Sequence, residues 1–130
     1  MKMQSPLLEF ESTDFAVTDG EDDETNPGIY GRALARWIAA QLKVADDQVI
    51  PEDFGWCVPV KSSPHHLYVA CSSEDDSKNK WRVFVFAEGG LMTRLLGRDC
   101  RAEEIASLFS EIKRILAAHP DIRGITEVQT

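Results

Sequence analysis

The chain has no apolar run approaching the ~18 consecutive residues that a membrane-spanning helix needs, so no helical anchor is expected. Its first residues, MKMQSPLLEFESTDF, hold no apolar stretch of signal-peptide length and soon turn acidic, which predicts a cytoplasmic protein. Cysteine is scarce. Cys57, Cys71 and Cys100 form an odd count with no CxxC, the pattern of reduced thiols rather than of a disulfide framework. Glu88-Gly89-Gly90 is no phosphate loop, because the GxxxxGK spacing and its lysine are missing. Histidine is also sparse. His65, His66, Cys57 and Cys71 would have to meet across paired strands to hold zinc, and adjacent histidines on a strand point to opposite faces. A Cys57–His nucleophile pair lacks an orienting acid. His119, at a helix end, is expected to meet free carbonyls. The expectation is therefore no metal, no cofactor and no enzymatic activity.

What the sequence does have is segregated charge. With 130 residues, 43% hydrophobic and 28% charged, it has the profile of one soluble globular domain spanning 1–130. Net charge is −8, but residues 1–27 hold eight acids against Lys2, while the remainder holds 14 acids against 13 bases. Within VTDGEDDETNPGIYG, five acids stand in six residues: Asp19, Glu21, Asp22, Asp23 and Glu24. This balance disfavours direct nucleic-acid binding, since phosphates are repelled, and suits a basic protein partner. The run also fails the calcium-loop template: no glycine follows Asp23, and a helix starts too soon.

Periodicity places the elements. Leu7–Phe15 reads as an edge strand with Leu8 and Phe10 on one side and Glu9 and Glu11 on the other. Residues 18–28 read as an acidic loop, so the acidic strand and loop together occupy 7–28. Ile29–Lys43 reads as a helix with Tyr30, Ala33, Leu34, Trp37, Ile38 and Leu42 on its apolar stripe, capped at Asn26-Pro27. The acidic half of the loop then serves no purpose in the fold. An early strand near Val49 precedes three more. In Phe54–Val60 the residues Phe54, Trp56, Val58 and Val60 are placed on one face. Leu67–Ser72 follows a turn at Ser62, Ser63 and Pro64. Trp81–Glu88 is apolar on both faces and is placed centrally. Gly89-Gly90 ends it, and residues 91–98 read as a short helical turn or loop. Arg101–His119 is a second helix, capped by Asp99 or Cys100, with Ile105, Leu108, Phe109, Ile112, Ile115 and Leu116 buried; Pro120 stops it. Ile122–Val128 is a last short edge strand. The fold class is α+β: a two-layer sandwich, with an antiparallel sheet of about four to five strands and two long helices packed on it.

The segments NPGIYGRALARWIAAQL, EDFGWCVPV, LYVACSSED and WRVFVFAE, in that order, resemble a group of small bacterial proteins to which no activity is assigned. The shared pattern is an NPGxYGxxLAxW helix, an EDxGW strand entry and a WRVFV strand, over roughly residues 26–120. Phe54 stands where the group's pattern has Trp. The resemblance implies a common fold and supplies no activity.

Two constellations carry functional readings. The acids Glu9, Glu11, Asp19, Glu21, Asp22, Asp23 and Glu24 form the candidate surface for a basic partner. This is the leading expectation: an immunity or inhibitor protein that neutralises a basic effector, such as a nuclease toxin or a nucleic-acid-handling complex, with acids standing in for phosphates. Glu52, Asp53 and Trp56 are the alternative, a pocket in which a carboxylate acts as general base or binds a small molecule. The structural reading of the same stretch is that Asp53 caps a turn, Gly55 makes a bulge and the aromatics fill the core. The third reading is a dimeric adaptor that pairs through an exposed edge strand.

Overall fold

The computed structural model of the chain describes residues 2–62, 66–74, 76–88 and 101–129. His65, Ser63 and Pro64 of the expected turn, the strand end at Gly89-Gly90, the 91–98 stretch and the cap at Asp99 or Cys100 lie outside the described residues. In chain order the elements are β1 (Lys2–Gln4), β2 (Leu7–Glu11), α1 (Arg32–Gln41), β3 (Ile50–Glu52), β4 (Gly55–Lys61), β5 (His66–Ser73), β6 (Lys80–Glu88), α2 (Arg101–Ala117) and β7 (Arg123–Val128). Short 3-10 turns occupy Glu21–Asp23 and Asp46–Gln48.

The architecture is α+β, a single antiparallel sheet with both helices on one face. The strand order is β3-β4-β5-β6-β2-β7, and β1 pairs with β6 alongside β2. Strands β1 and β2 are two halves of one ladder position. Gln4 faces Phe86 and Leu8 faces Val83, so one extra residue is absorbed at Ser5-Pro6. The Ser5 backbone N–H donates to the Val85 carbonyl at 2.8 Å, and the Ser5 hydroxyl accepts the Val85 N–H at 2.9 Å. Pro6 has no N–H for the ladder, and a bulge is where a strand tolerates that loss. The sheet thus has six positions, more than the four to five expected. One expectation is corrected by the topology: β2 is interior, flanked by β6 and β7, and β7 is the edge.

The core lies between the sheet and the helices. Leu34 and Ile38 of α1 and Ile105, Leu108, Ile112 and Leu116 of α2 meet Leu8, Val58, Val69, Trp81, Val83 and Val85 from the strands. Each such side chain removed from water stabilises the fold by about 1.5–3 kcal/mol. The six buried residues of α2 are those the periodicity picks out. On the opposite face Cys57, Ala70 and Phe86 are buried, with Phe54, Tyr68 and Phe84 packed around them. Phe54 therefore leaves the face shared by Trp56 and Val58. The cause is Gly55, at φ 148°, which turns the chain at the end of the tight β3–β4 hairpin. A Cβ there would collide with the Cys71 carbonyl. Gly31, at φ 141°, approaches the same carbonyl; its Cβ would come within 2.8 Å. Both glycines are held where L side chains are strained, and they let the α1 entry and the β4 entry pack against β5.

Candidate protein-binding surface

Helix α1 starts at Arg32, later than the Asn26-Pro27 cap predicts, and the reason lies in the acidic loop. Glu21 is 2% exposed. One carboxylate oxygen accepts the Thr18 N–H at 2.8 Å, and the other accepts the N–H of Gly31 at 3.0 Å and of Arg32 at 3.1 Å. A carboxylate at the positive end of a helix, bonded to its orphan N–H groups, is a strong cap. Asp22 accepts the Gly28 N–H at 2.9 Å. Asn26 does not cap α1; its side-chain amide donates to the Asp53 carbonyl at 2.9 Å. The acidic half of VTDGEDDETNPGIYG is thus built into the fold through Glu21 and Asp22, contrary to the expectation that it serves none.

The segment after the loop is stitched to the end of β5. Ser73 N–H donates to the Tyr30 carbonyl at 2.9 Å, Tyr30 N–H donates to the Ser73 hydroxyl at 2.9 Å, and Asp76 N–H donates to the Gly28 carbonyl at 3.0 Å. This brings the β5–β6 loop, which carries Glu74 and Asp76, against the acidic loop. Tyr30 stands at the junction. Its phenol is pushed above the usual range by burial first, then by Asp22, Asp76, Glu21 and Asp19. Asp19, Asp23, Glu24 and Asp76 are exposed, and Asp22 is half-buried. Neither Tyr30 nor Asp76 was marked by the acidic pattern, because nothing local in SSEDDSKNK signals which distant loop it will meet.

The two strand acids contribute differently. Glu9 lies 3.2 Å from Arg82, which also approaches Glu74 at 3.9 Å. Glu11 is exposed, with Lys80 and Arg123 as its cross-strand neighbours. Their charge is locally compensated, unlike that of Asp19, Asp23 and Glu24. Among the described residues no group of His, Cys, Asp and Glu is placed to hold a metal ion, and no helix is long and apolar enough to cross a membrane.

No family profile, curated protein or solved structure matches the chain.

The residues of the alternative pocket separate. Trp56 is 3% exposed in the core beneath the helices, with the Arg32 guanidinium 5.5 Å from its ring. Asp53 is exposed in the β3–β4 turn. Glu52 lines a hollow of about 170 Å³ on the other face of the sheet, together with Ile50, Phe54, Cys57, Tyr68, Phe86 and Glu88. Cys57 and Cys71 are both buried, and burial followed by the nearness of Cys57 raises the Cys71 thiol well above its usual value.

A polar corner joins the chain after β2 to the chain after α2. One oxygen of Asp121 accepts the Ser12 hydroxyl at 2.8 Å, the Thr13 N–H at 2.9 Å and the Thr13 hydroxyl at 3.2 Å. The Ser12 hydroxyl bond and the Thr13 N–H bond hold the Asp121 carboxyl below the usual range. His119 accepts the Asp121 N–H at Nδ1, 3.0 Å, which leaves Nε2 as donor to Asp14 at 2.9 Å. The His119 ring packs against Phe15 and Trp37. The ring thus meets an acid and a backbone N–H rather than the helix-end carbonyls expected. Every polar partner here is internal, so the corner reads as a clasp between the β2–α1 and α2–β7 connections.

Proposed function

We propose that the protein is a non-enzymatic binding protein that neutralises a basic effector, in the manner of an immunity or inhibitor protein facing a nuclease toxin or a nucleic-acid-handling complex. The observation that carries this reading is the junction of two acidic loops around Tyr30. Asp19, Asp23 and Glu24 come from one loop and Asp76 from another, some fifty residues apart in sequence. Glu21 and Asp22, bonded to backbone N–H groups, hold that loop in a defined shape. Preorganised like charge on one side of a nearly neutral body makes a directed field, which speeds encounter with a basic surface.

The test uses the open acids and spares the structural ones. The variant Asp19→Asn, Asp23→Asn, Glu24→Gln, Asp76→Asn is compared with the native chain against the partner recovered from the native host. The expected result is an association rate lower by about tenfold at low salt, with a flatter dependence on ionic strength and an unchanged melting temperature. Association that keeps its rate and its salt slope in the variant sinks the proposal.

A further inference from the structure

The polar corner holds a titratable ring whose two nitrogens have opposed duties. His119 Nδ1 accepts the Asp121 N–H at 3.0 Å, and Nε2 donates to the Asp14 carboxylate at 2.9 Å. The tautomer follows from the first bond, because a backbone N–H can only donate. Phe15 and Trp37 pack on the ring, at 5.6 Å and 4.9 Å between centroids. The His119 side chain is 9% exposed, so water has little access to replace either partner. Each bond ties a different connection to the ring. Asp14 belongs to the chain after β2, and Asp121 to the turn that leads into β7. Within that turn the Ile122 N–H reaches the His119 carbonyl only at 3.3 Å.

Charging the ring breaks this arrangement on one side only. A protonated imidazole carries N–H on both nitrogens and has no acceptor left. Its Nδ1–H then points at the Asp121 N–H, donor against donor. Toward Asp14 the effect is opposite, because the existing bond becomes a charge-assisted pair. The ring cannot turn to satisfy both, since a rotation that moves Nδ1 off Asp121 also moves Nε2 off Asp14. The other described contacts of the corner are neutral or keep their charge. Helix α1 presents the Trp37 ring, and α2 the Leu116 carbonyl, which accepts the His119 N–H. Strand β6 and the loop before it arrive through the Trp81 indole and the Asn79 carbonyl, both bonded to Ser12. Arg123 of β7 acts on Asp121. The Asp121 carboxyl stays ionised where a histidine titrates, since the Ser12 and Thr13 bonds hold it below the usual range.

We infer that His119 is a proton-operated latch on the start of β7. With the ring neutral the latch is closed, and the ring bridges Asp14 to the Asp121 N–H. With the ring charged it keeps Asp14 and releases the Asp121 N–H, and the turn at 119–122 loosens. Strand β7 begins at Arg123, two residues beyond Asp121, and lies at the edge of the sheet beside β2. Acidification therefore frees the entrance to β7, while the Ser12 and Thr13 bonds to the Asp121 carboxylate keep the two connections together. The inference does not depend on the identity of any partner.

The experiment is an NMR titration of the isotope-labelled chain from about pH 8 to about pH 5, the range in which histidine changes charge. The imidazole nitrogen signals report the tautomer and charge of His119, and the Asp121 amide proton reports its own bond. The expected result is the Nε2–H tautomer at the alkaline end and a single step shared by the ring and the Asp121 amide. Across that step the amide proton moves upfield. Its exchange with solvent, corrected for the intrinsic pH dependence, rises about three- to tenfold. The Thr13 amide, bonded to the Asp121 carboxylate, keeps its protection. Asp14→Asn, at a side chain 60% exposed, retains an acceptor for Nε2 but removes its charge. In that variant the shared step is expected to move to lower pH in both signals together. A ring that titrates while the Asp121 amide keeps its shift and protection overturns the inference. So does an Nδ1–H tautomer at the alkaline end, a ring still neutral at the acid end, or an Asp121 step that Asp14→Asn leaves in place. Equal loss of protection at Thr13 and Asp121 also overturns it, in favour of general opening of the corner.

Discussion

Glu21 shows how a residue that looks like surface charge can be a structural part. Its two oxygens take three backbone N–H groups, two of them at the start of α1. Glu21→Ala leaves those donors in a site 2% exposed, so a loss of about 2–3 kcal/mol is expected, read as a lower denaturant midpoint with an unchanged m-value. Asp23→Ala, two residues on and exposed, is expected to stay within about 0.5 kcal/mol of the native chain. Asp121 supplies the pH dependence. Its folded pKa lies below its unfolded value, so the unfolded chain binds the proton more readily. Its contribution is complete above the unfolded value of about 4 and is lost as pH falls through the folded one. Denaturant midpoints measured from pH 7 down to pH 2 should therefore fall less steeply below pH 4 in Asp121→Asn than in the native chain.

At the scale of elements, both edges of the sheet carry devices that discourage pairing with another chain. Strand β3 has three residues, one of them Pro51. Strand β7 carries an extra residue against β2, with Gly124 at φ 66°, and is flanked by Arg123 and Glu127. Short edges, prolines, bulges and charges each interrupt edge-to-edge pairing. The chain is expected to be monomeric in light scattering, and replacing Arg123 and Gly124 with valine is expected to produce concentration-dependent association. The elements themselves were largely legible in the sequence. The α2 stripe, the central β6 and the edge position of β7 follow from apolar periodicity, which reports burial directly. What was not legible depended on partners far along the chain. The start of α1 is set by Glu21 and by the close approach of Gly31 to Cys71, and Phe54 changes faces because Gly55 turns the strand entry. The candidate surface divides the same way: the clustering of Asp19, Asp23 and Glu24 is visible in sequence, but the arrival of Asp76 and the aromatic hollow are products of topology.

At the scale of the whole molecule, the two faces of the sheet have separate tasks. The helix-covered face carries the core, and the other face carries the aromatic group around Phe86 at one end and the Glu9, Arg82, Lys80 and Glu11 charges at the other. Packing fixes the first, so it tolerates little change.

The pairing of β2 with β7 has a kinetic consequence. Leu7 faces Val128, and Ser12 meets Asp121 across 109 residues of chain. By contrast β3, β4 and β5 pair with their immediate successors. Contacts that close long loops form late, since the entropy of closure must be overcome before they contribute. The hairpins and α1 are therefore expected in the rate-limiting structure, and the β2–β7 seam after it. Ile125→Ala should speed unfolding and leave refolding nearly unchanged, whereas Val69→Ala should slow refolding. The seam that completes the sheet would then set how long the native state lasts, while having little part in how fast it is reached.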